Sequence, residues 1–164
     1  MKPDIVTTAA WNWVAGDLPT PERDRTACFG EDLCRFLKKK RQDLGIPTAA
    51  ETAPVGQFDC VVGWGLIPGP EAEMTLARSF RLLRPGGGAL FYGFRRDPSP
   101  EDVYEWGRRC RELGGDGFFP LPLPGATELA PVIAALNASP FDHFGVRREG
   151  ICFRALLRRG EGEE

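Results

Sequence analysis

The sequence predicts an α/β fold, a three-layer sandwich with a mostly parallel sheet that ends in an antiparallel hairpin. Three observations predict this. An apolar strand that begins at Phe58-Asp59, an amphipathic helix and a second apolar strand form a βαβ unit of a parallel sheet. Pro-Gly-Gly-Gly at 85–88 ends that helix, since Pro disfavours helical geometry and Gly accepts left-handed angles. Two apolar stretches at 141–146 and 151–157 flank an Arg-Arg-Glu-Gly turn and predict the hairpin.

The composition is that of an ordinary globular protein. The chain has 164 residues, 42% hydrophobic and 27% charged, which predicts one domain over 1–159 and a disordered tail over 160–164. The net charge of −2 argues against a nucleic-acid partner. No apolar run approaches the roughly 20 residues of a membrane span. Five cysteines without a C-x-x-C pair predict reduced thiols in a cytoplasm, and a single histidine predicts no metal.

Further elements are expected along the chain from local patterns. The β-branched run Ile5-Val6-Thr7-Thr8 predicts a first strand over Asp4–Ala10. The βαβ helix is expected to bury Met74, Leu76, Ala77, Phe80 and Leu83, which recur near every third or fourth position. The other expected elements are a second strand at Thr26–Gly30, a helix at Cys34–Leu44, a weak third strand within Pro47–Ala53, and helices at Glu101–Leu113 and Ala130–Leu136.

The central block resembles a known family. Phe58-Asp59-Cys60-Val61-Val62 is similar to the "FDvV" fourth strand of class I S-adenosylmethionine-dependent methyltransferases, and Leu83-Arg84-Pro85-Gly86-Gly87 to their "LkPGG" helix end. The resemblance covers nearly the whole chain. It implies a Rossmann-like sheet, S-adenosylmethionine as cofactor, and methyl transfer to a small molecule or a protein.

The resemblance also implies site residues. Family members end the second strand in an acidic residue that binds the cofactor's ribose, and Asp32 matches it; the alternative is that Asp32 only caps a helix. Gly63, Trp64 and Gly65 match the loop at the methionine end of the cofactor, where Trp64 would face the sulfonium. The alternative there is a tight turn with a packed indole. Ala9 and Trp11 would flank the amino-acid portion of the cofactor.

The first loop departs from the family pattern. Family members follow the first strand with a turn similar to "GxGxG", but Thr7–Trp13 holds no glycine. An inward indole of Trp11 or Trp13, with roughly 150–250 Å² of surface, would fill cofactor space. Only three residues precede the expected first strand, so no covering helix is expected. Two functions stay open: a methyltransferase-like protein with a degenerate cofactor loop, or a non-catalytic binding or assembly partner of that fold. A homo- or hetero-oligomer is expected in either case.

Four candidates are weaker, and three of them have an ordinary structural alternative. Glu51 sits near the position of an adenine contact in the family, although the alignment there is loose. The basic run 38–41 is either a phosphate site or a solvated helix face. His143 is either a general base or an ordinary polar position. The apolar loop 118–123 is either a substrate lid, a partner surface or irregular core covering.

Overall fold

The computed structural model describes residues 4–19, 25–41, 48–66, 68–115, 117, 119, 121–123 and 125–160. Helices and strands alternate along most of this part of the chain. The helices are α1 (Ile5–Asp17), α2 (Glu31–Lys40), α3 (Pro70–Leu82), α4 (Pro100–Glu112) and α5 (Leu129–Asn137). The strands are β1 (Thr26–Cys28), β2 (Thr48–Ala49), β3 (Phe58–Trp64), β4 (Leu83–Phe94), β5 (His143–Glu149) and β6 (Cys152–Arg158).

All six strands of the described chain form one sheet in the order β2-β1-β3-β4-β6-β5. The pairs among β1 to β4 are parallel, whereas β6 runs antiparallel to both β4 and β5. The predicted α/β class, with a mostly parallel sheet and a closing hairpin, is therefore confirmed. The hairpin turns at Gly150, where φ is +60°.

Helices cover both faces of the sheet, so the molecule has three layers. One hydrophobic cluster joins the sheet to α1, α2 and α4 and includes Trp106 and Tyr92. The other cluster joins the opposite face to α3 and α5 and includes Phe91 and Phe153. The two faces together bury the apolar residues that drive folding.

The predicted first strand over Asp4–Ala10 is wrong, because this segment begins helix α1. The Asp4 carboxylate caps the helix by accepting a hydrogen bond from the Thr7 amide at 2.8 Å. Val6, Ala10 and Val14 lie four residues apart and are all buried against the sheet. Burial of this helical face outweighs the strand preference of the β-branched residues. The expectation that no helix precedes the first strand is wrong for the same reason.

The central βαβ unit is confirmed as β3-α3-β4, with two differences in detail. Met74, at 72%, and Ala77 are exposed, and the buried face of α3 consists of Ala72, Leu76, Ser79 and Leu82. The helix does end before Pro85, but the Pro-Gly-Gly segment belongs to β4. It interrupts the pairing with β3, whose register jumps from Phe58↔Leu83 to Cys60↔Gly88. This segment is therefore a bulge within a strand.

The remaining elements differ from expectation mainly at their ends. Helix α2 begins at Glu31, three residues before the expected start, and residues 42–44 of the predicted helix lie outside the described residues. Helices α4 and α5 confirm the two later predictions. Of the apolar loop, 118 and 120 lie outside the described residues, as do 161–164 of the predicted tail. None of the helices in the described ranges is both long and apolar enough to cross a membrane.

Candidate functional site

The sheet has a topological switch point between β1 and β3. From β1 the chain crosses through α2 to β2 on one side, and from β3 it crosses through α3 to β4 on the other. The crevice outside the carboxyl ends of two such strands is where open α/β sheets bind ligands. Here that crevice lies between Phe29, which follows β1, and Trp64, which ends β3.

A small cavity occupies this crevice. Its volume is about 120 Å³, below the roughly 300–1,000 Å³ of typical small-molecule sites. Side chains and glycines from the ends of three neighbouring strands and from the start of α3 line it, namely Phe29, Gly63, Trp64, Gly65, Leu66, Glu71, Ala72, Thr75 and Phe91. Phe29, together with Phe91, narrows the cavity on the β1 side, since their ring centroids lie 6.1 Å apart.

The loop after β1 contains one glycine, Gly30, at the start of α2. Its φ of +94° is a conformation that other residues rarely adopt. The Gly30 carbonyl accepts from the Cys34 amide at 3.0 Å as the helix begins. The Gly30 amide donates to the Glu51 carboxylate at 3.3 Å. The Glu51 carboxylate therefore lies beside the loop that leads from β1 into α2.

Glu51 belongs to the short connection between β2 and β3, and that connection is held from two sides. The Ala50 amide donates to the Cys28 carbonyl at 2.9 Å, at the end of β1. The Arg78 guanidinium, on α3, donates to the carbonyls of Ala50 at 3.1 Å and Ala53 at 2.7 Å. These bonds fix the backbone around Glu51, while its side chain stays exposed beside the crevice.

Gly63, Trp64 and Gly65 meet at the cavity from the end of β3. A Cβ on Gly63 would lie 2.7 Å from the Phe91 ring, so only glycine fits. Gly65 has a φ of +83° and donates to the Tyr92 carbonyl at 2.6 Å. The half-buried Trp64 indole packs edge-on against Phe94, with ring centroids 4.9 Å apart. The three residues thus form a tight turn whose indole is packed and also lines the cavity.

Comparisons with known proteins show similarity in structure alone. No protein-family model matches the sequence, and no curated protein matches it. A possible histamine N-methyltransferase from Thermotoga maritima, a SAM-dependent methyltransferase, superimposes with a TM-score of 0.57 at 14% identity, over 94% of this chain and 91% of that one. An O-methyltransferase family protein from Burkholderia thailandensis gives 0.56 at 13% identity, over 96% of this chain and 57% of that one. The fold is that of the class I S-adenosylmethionine-dependent methyltransferases.

The first strand of the sheet lies one element later in the chain than the sequence predicted. Helix α1 lies ahead of it, so β1 is the first strand and β2 the second. The strand that resembles the family's fourth, β3, pairs directly with β1. No strand lies within 50–57, which connects β2 to β3 and is described throughout. Between β2 and β3 the described chain therefore has no further strand.

The predicted ribose ligand, Asp32, lies in a helix and not at the end of a strand. Asp32 is the second residue of α2, its side chain is 54% exposed, and it pairs with Arg35 at 3.5 Å. Asp32 does not cap the helix. The capping residue is Gly30, which makes no side-chain hydrogen bond. Glu51 lies two residues after the end of β2, a strand of only two residues that carries little sequence pattern.

Ala9 and Trp11 lie inside α1 and do not line the cavity. Both are buried, and the Trp11 indole packs edge-on against Phe36 of α2 with centroids 5.5 Å apart. Trp13 packs in the same manner against Tyr92 at 5.1 Å. The placement of Ala9 and Trp11 in a cofactor loop depended on the first strand that is absent here. Phe29, which the sequence did not single out, lies in the loop after β1 and lines the cavity. The signal that could have found it is its place directly after the strand Thr26–Cys28.

Proposed function

We propose that this chain is a methyltransferase-like protein that binds S-adenosylmethionine in the crevice between β1 and β3, with a small molecule or a protein as acceptor. One observation carries the proposal. The amide of Gly30, after the first strand, meets the carboxylate of Glu51, after the second strand, at 3.3 Å. The family resemblance implies a glycine turn and an acidic residue at these two places, and here they lie together at the switch point.

Each residue of the crevice has a role in this proposal. The Glu51 carboxylate accepts hydrogen bonds from both ribose hydroxyls, since its two oxygens have the required lone pairs. Gly30 lets the backbone approach the cofactor closely. Gly63, Trp64 and Gly65 line the end that carries the methyl group. The cofactor supplies the reactive methyl carbon, and the protein aligns the acceptor with it. No general base is assigned.

Calorimetric titration with S-adenosylmethionine and S-adenosylhomocysteine tests the proposal. We expect Glu51→Gln to weaken binding by about tenfold or more, because it removes charge-assisted hydrogen bonds of about 1.5–3 kcal/mol. The matched control is Asp32→Asn on the neighbouring turn, which is expected to bind as the wild type does. Equal loss in both variants would argue for a role of Asp32. Absence of heat at about 1 mM ligand, a concentration that detects even weak complexes, would reject the cofactor.

The size of the cavity favours a second candidate function, a non-catalytic partner that has lost cofactor binding. At about 120 Å³ the cavity does not accommodate a whole nucleoside without movement of Phe29 or Trp64. Phe29→Gly distinguishes the two functions. If the wild type binds no cofactor and this variant does, the aromatic ring has closed an ancestral site. If both bind, the ring moves aside in the wild type and the cofactor proposal stands.

The proposal includes a cytoplasmic location and a homo- or hetero-oligomer. All five cysteines are free, as reduced thiols in a cytoplasm would be. An oligomer remains a prediction, which sedimentation of the purified protein would check.

A further inference from the structure

Two cysteines lie side by side beneath the loop at the switch point. Cys28 is the last residue of β1, and Cys34 lies in the second turn of α2, six residues later in the chain. The Cys34 thiol donates to the Cys28 carbonyl at 3.2 Å, and the Cys28 thiol lies 3.7 Å from the Phe29 carbonyl. Both side chains belong to the cluster between α2 and the sheet. The Cys34 sulfur therefore lies against the backbone of the residue that carries the other thiol.

The two thiols differ in environment. Cys28 is fully buried, whereas Cys34 is half-buried and near the amino end of a helix, where a negative charge is stabilised. A hydrogen bond from the Cys28 thiol lowers the pKa of Cys34, although desolvation and the carboxylates of Glu51 and Glu31 oppose this. The same hydrogen bond, and then burial, raise the pKa of Cys28. Cys34 is therefore the nucleophile of the pair.

The other cysteines are far less reactive by the same criteria. Cys60, Cys110 and Cys152 are buried. Burial raises the pKa of Cys60 to about 12 and also raises the pKa of Cys152. A thiol in an apolar environment is seldom ionised and reacts slowly with oxidants. These residues supply internal controls in the same protein.

We propose that Cys34 and Cys28 form an oxidisable pair that responds to peroxides. The Cys34 thiolate attacks one oxygen of hydrogen peroxide, the O–O bond breaks, and a sulfenic acid and hydroxide form. The Cys28 sulfur then attacks the Cys34 sulfur, its proton and the sulfenic hydroxyl leave as water, and a disulfide results. Two thiols are thereby oxidised by one peroxide, which is reduced to two waters. A thiol reductant reverses the final state.

Mass spectrometry of one peptide tests this directly. Tryptic cleavage after Arg25 and Arg35 releases residues 26–35, which contain both cysteines and no other. After mild peroxide treatment we expect this peptide to lose two hydrogens, and a reductant to restore them. In Cys28→Ser the sulfenic acid should persist on Cys34, where dimedone traps it. In Cys34→Ser neither product should form. Cys60→Ser is the control and should oxidise as the wild type does.

Two results would overturn the pair. One is wild-type protein in which dimedone labels Cys34 while residues 26–35 never lose two hydrogens. The other is oxidation of Cys110 or Cys152 as fast as Cys34; we expect Cys34 to react about tenfold faster or more, from the difference in thiolate fraction. Circular dichroism of each variant before treatment separates lost reactivity from lost folding.

The disulfide also has a consequence that rests on the proposed function. An S–S bond of about 2.05 Å is much shorter than a hydrogen-bond contact, so it draws the start of α2 toward β1. Gly30 lies between the two cysteines and donates to Glu51. We expect oxidised protein to bind S-adenosylhomocysteine more weakly than reduced protein. Unchanged affinity with the disulfide formed would reject this coupling. Absence of S-adenosylhomocysteine binding to the reduced protein would reject the proposed function. It would leave the oxidisable pair standing, because the mass of peptide 26–35 does not depend on the cofactor.

Discussion

At the residue scale, Gly63 is the position of the crevice where the packing is least tolerant. An added Cβ would lie 2.7 Å from one carbon of the Phe91 ring and 2.9 Å from another. Phe91 is 2% exposed and belongs to the cluster on the α3 side of the sheet, so displacing its ring disturbs packed neighbours. The missing side chain of Gly63 therefore lets the Phe91 ring pack directly against the backbone at the end of β3.

We predict that Gly63→Ala lowers the free energy of unfolding by about 1–3 kcal/mol, because overpacking forces Phe91 from its place. Urea denaturation followed by circular dichroism measures the change. The matched control is Gly145→Ala on β5, where an added Cβ meets nothing within 4 Å and the backbone is ordinary. Equal stabilities of the two variants would show that the Phe91 ring relaxes at no cost.

The site was harder to predict at this scale than the residues around it. Gly63, Trp64 and Gly65 were found from the loop pattern, and they do meet at the cavity. The ribose ligand stays a prediction, because the choice between Asp32 and Glu51 depends on how the strands are numbered, and local pattern did not fix that numbering. The first strand was placed one element too early, which displaced the predicted first loop at Ala9 and Trp11 but not the loop at 63–65.

At the element scale, the start of α4 is fixed by a capping box between Ser99 and Asp102. The Asp102 amide donates to the Ser99 hydroxyl at 3.1 Å, and the Ser99 amide donates to the Asp102 carboxylate at 3.1 Å. Arg95 donates to the same carboxylate at 3.0 Å. Desolvation alone would raise the pKa of Asp102, but the bonds with Ser99 and the charge of Arg95 outweigh it and lower that pKa.

This pKa makes the stability of α4 dependent on pH. Because the folded pKa lies below the unfolded value of about 3.9, the contribution is fully present above that value and is lost as pH falls through the folded pKa. We predict that Asp102→Asn is less stable than the wild type at pH 7, and that the difference shrinks below about pH 4. Thermal denaturation across pH measures it. Glu101→Gln, one residue earlier without the Ser99 contacts, should show no comparable trend.

Helix α1 is attached to the sheet by a polar cluster at its end. The Asp17 carboxylate accepts from Arg154 at 3.1 and 3.2 Å and from the Tyr92 hydroxyl at 2.7 Å. The side chains of Arg154 and Asp17 are only 21% and 13% exposed. Burial, and then the bond to Asp17, raise the pKa of Tyr92 above its usual range. The cluster therefore holds a charge pair and a phenol in a nearly dry environment.

We predict that Asp17→Ala lowers the free energy of unfolding by about 3 kcal/mol, since it leaves Arg154 and Tyr92 buried without their partner. The control is Glu105→Ala, which removes an exposed ion pair with Arg108 whose side chains are 55% and 53% exposed. That loss should be below about 1 kcal/mol. Denaturation in guanidinium compares the two. A loss as small as the control's would mean that water replaces the carboxylate.

Why α1 was mistaken for a strand can be stated physically. Local preference in Ile5-Val6-Thr7-Thr8 favours extended backbone. Two features favoured a helix instead: Asp4 can cap it, and Val6, Ala10 and Val14 are spaced to form one helical face. That face stabilises the helix only when it packs against the sheet. The βαβ unit and the hairpin were predictable because their apolar periodicity and their turn residues agree. The two-residue β2 carries too little pattern to be found with certainty.

At the scale of the whole molecule, the proposed cofactor must stabilise the fold if it binds the folded chain alone. Ligand at 100 times its dissociation constant adds about 2.7 kcal/mol. For a chain of this size that raises the melting temperature by about 5–10 °C. We predict a rise of this size with S-adenosylhomocysteine in a thermal-shift measurement, and a smaller one in Glu51→Gln. Equal shifts from adenosine alone would assign the binding to the nucleoside half.

The bond between Asp17 and Arg154 joins residues 137 positions apart. A ribosome releases the first helix long before it has made the strand that anchors it, and a helix of 13 residues is marginal on its own. Its apolar face can pack against α2, the central strands and α4 as these are made, but the Asp17 carboxylate gains its Arg154 partner only with β6. The buried ion pair that attaches α1 is consequently among the last contacts that the growing chain can make.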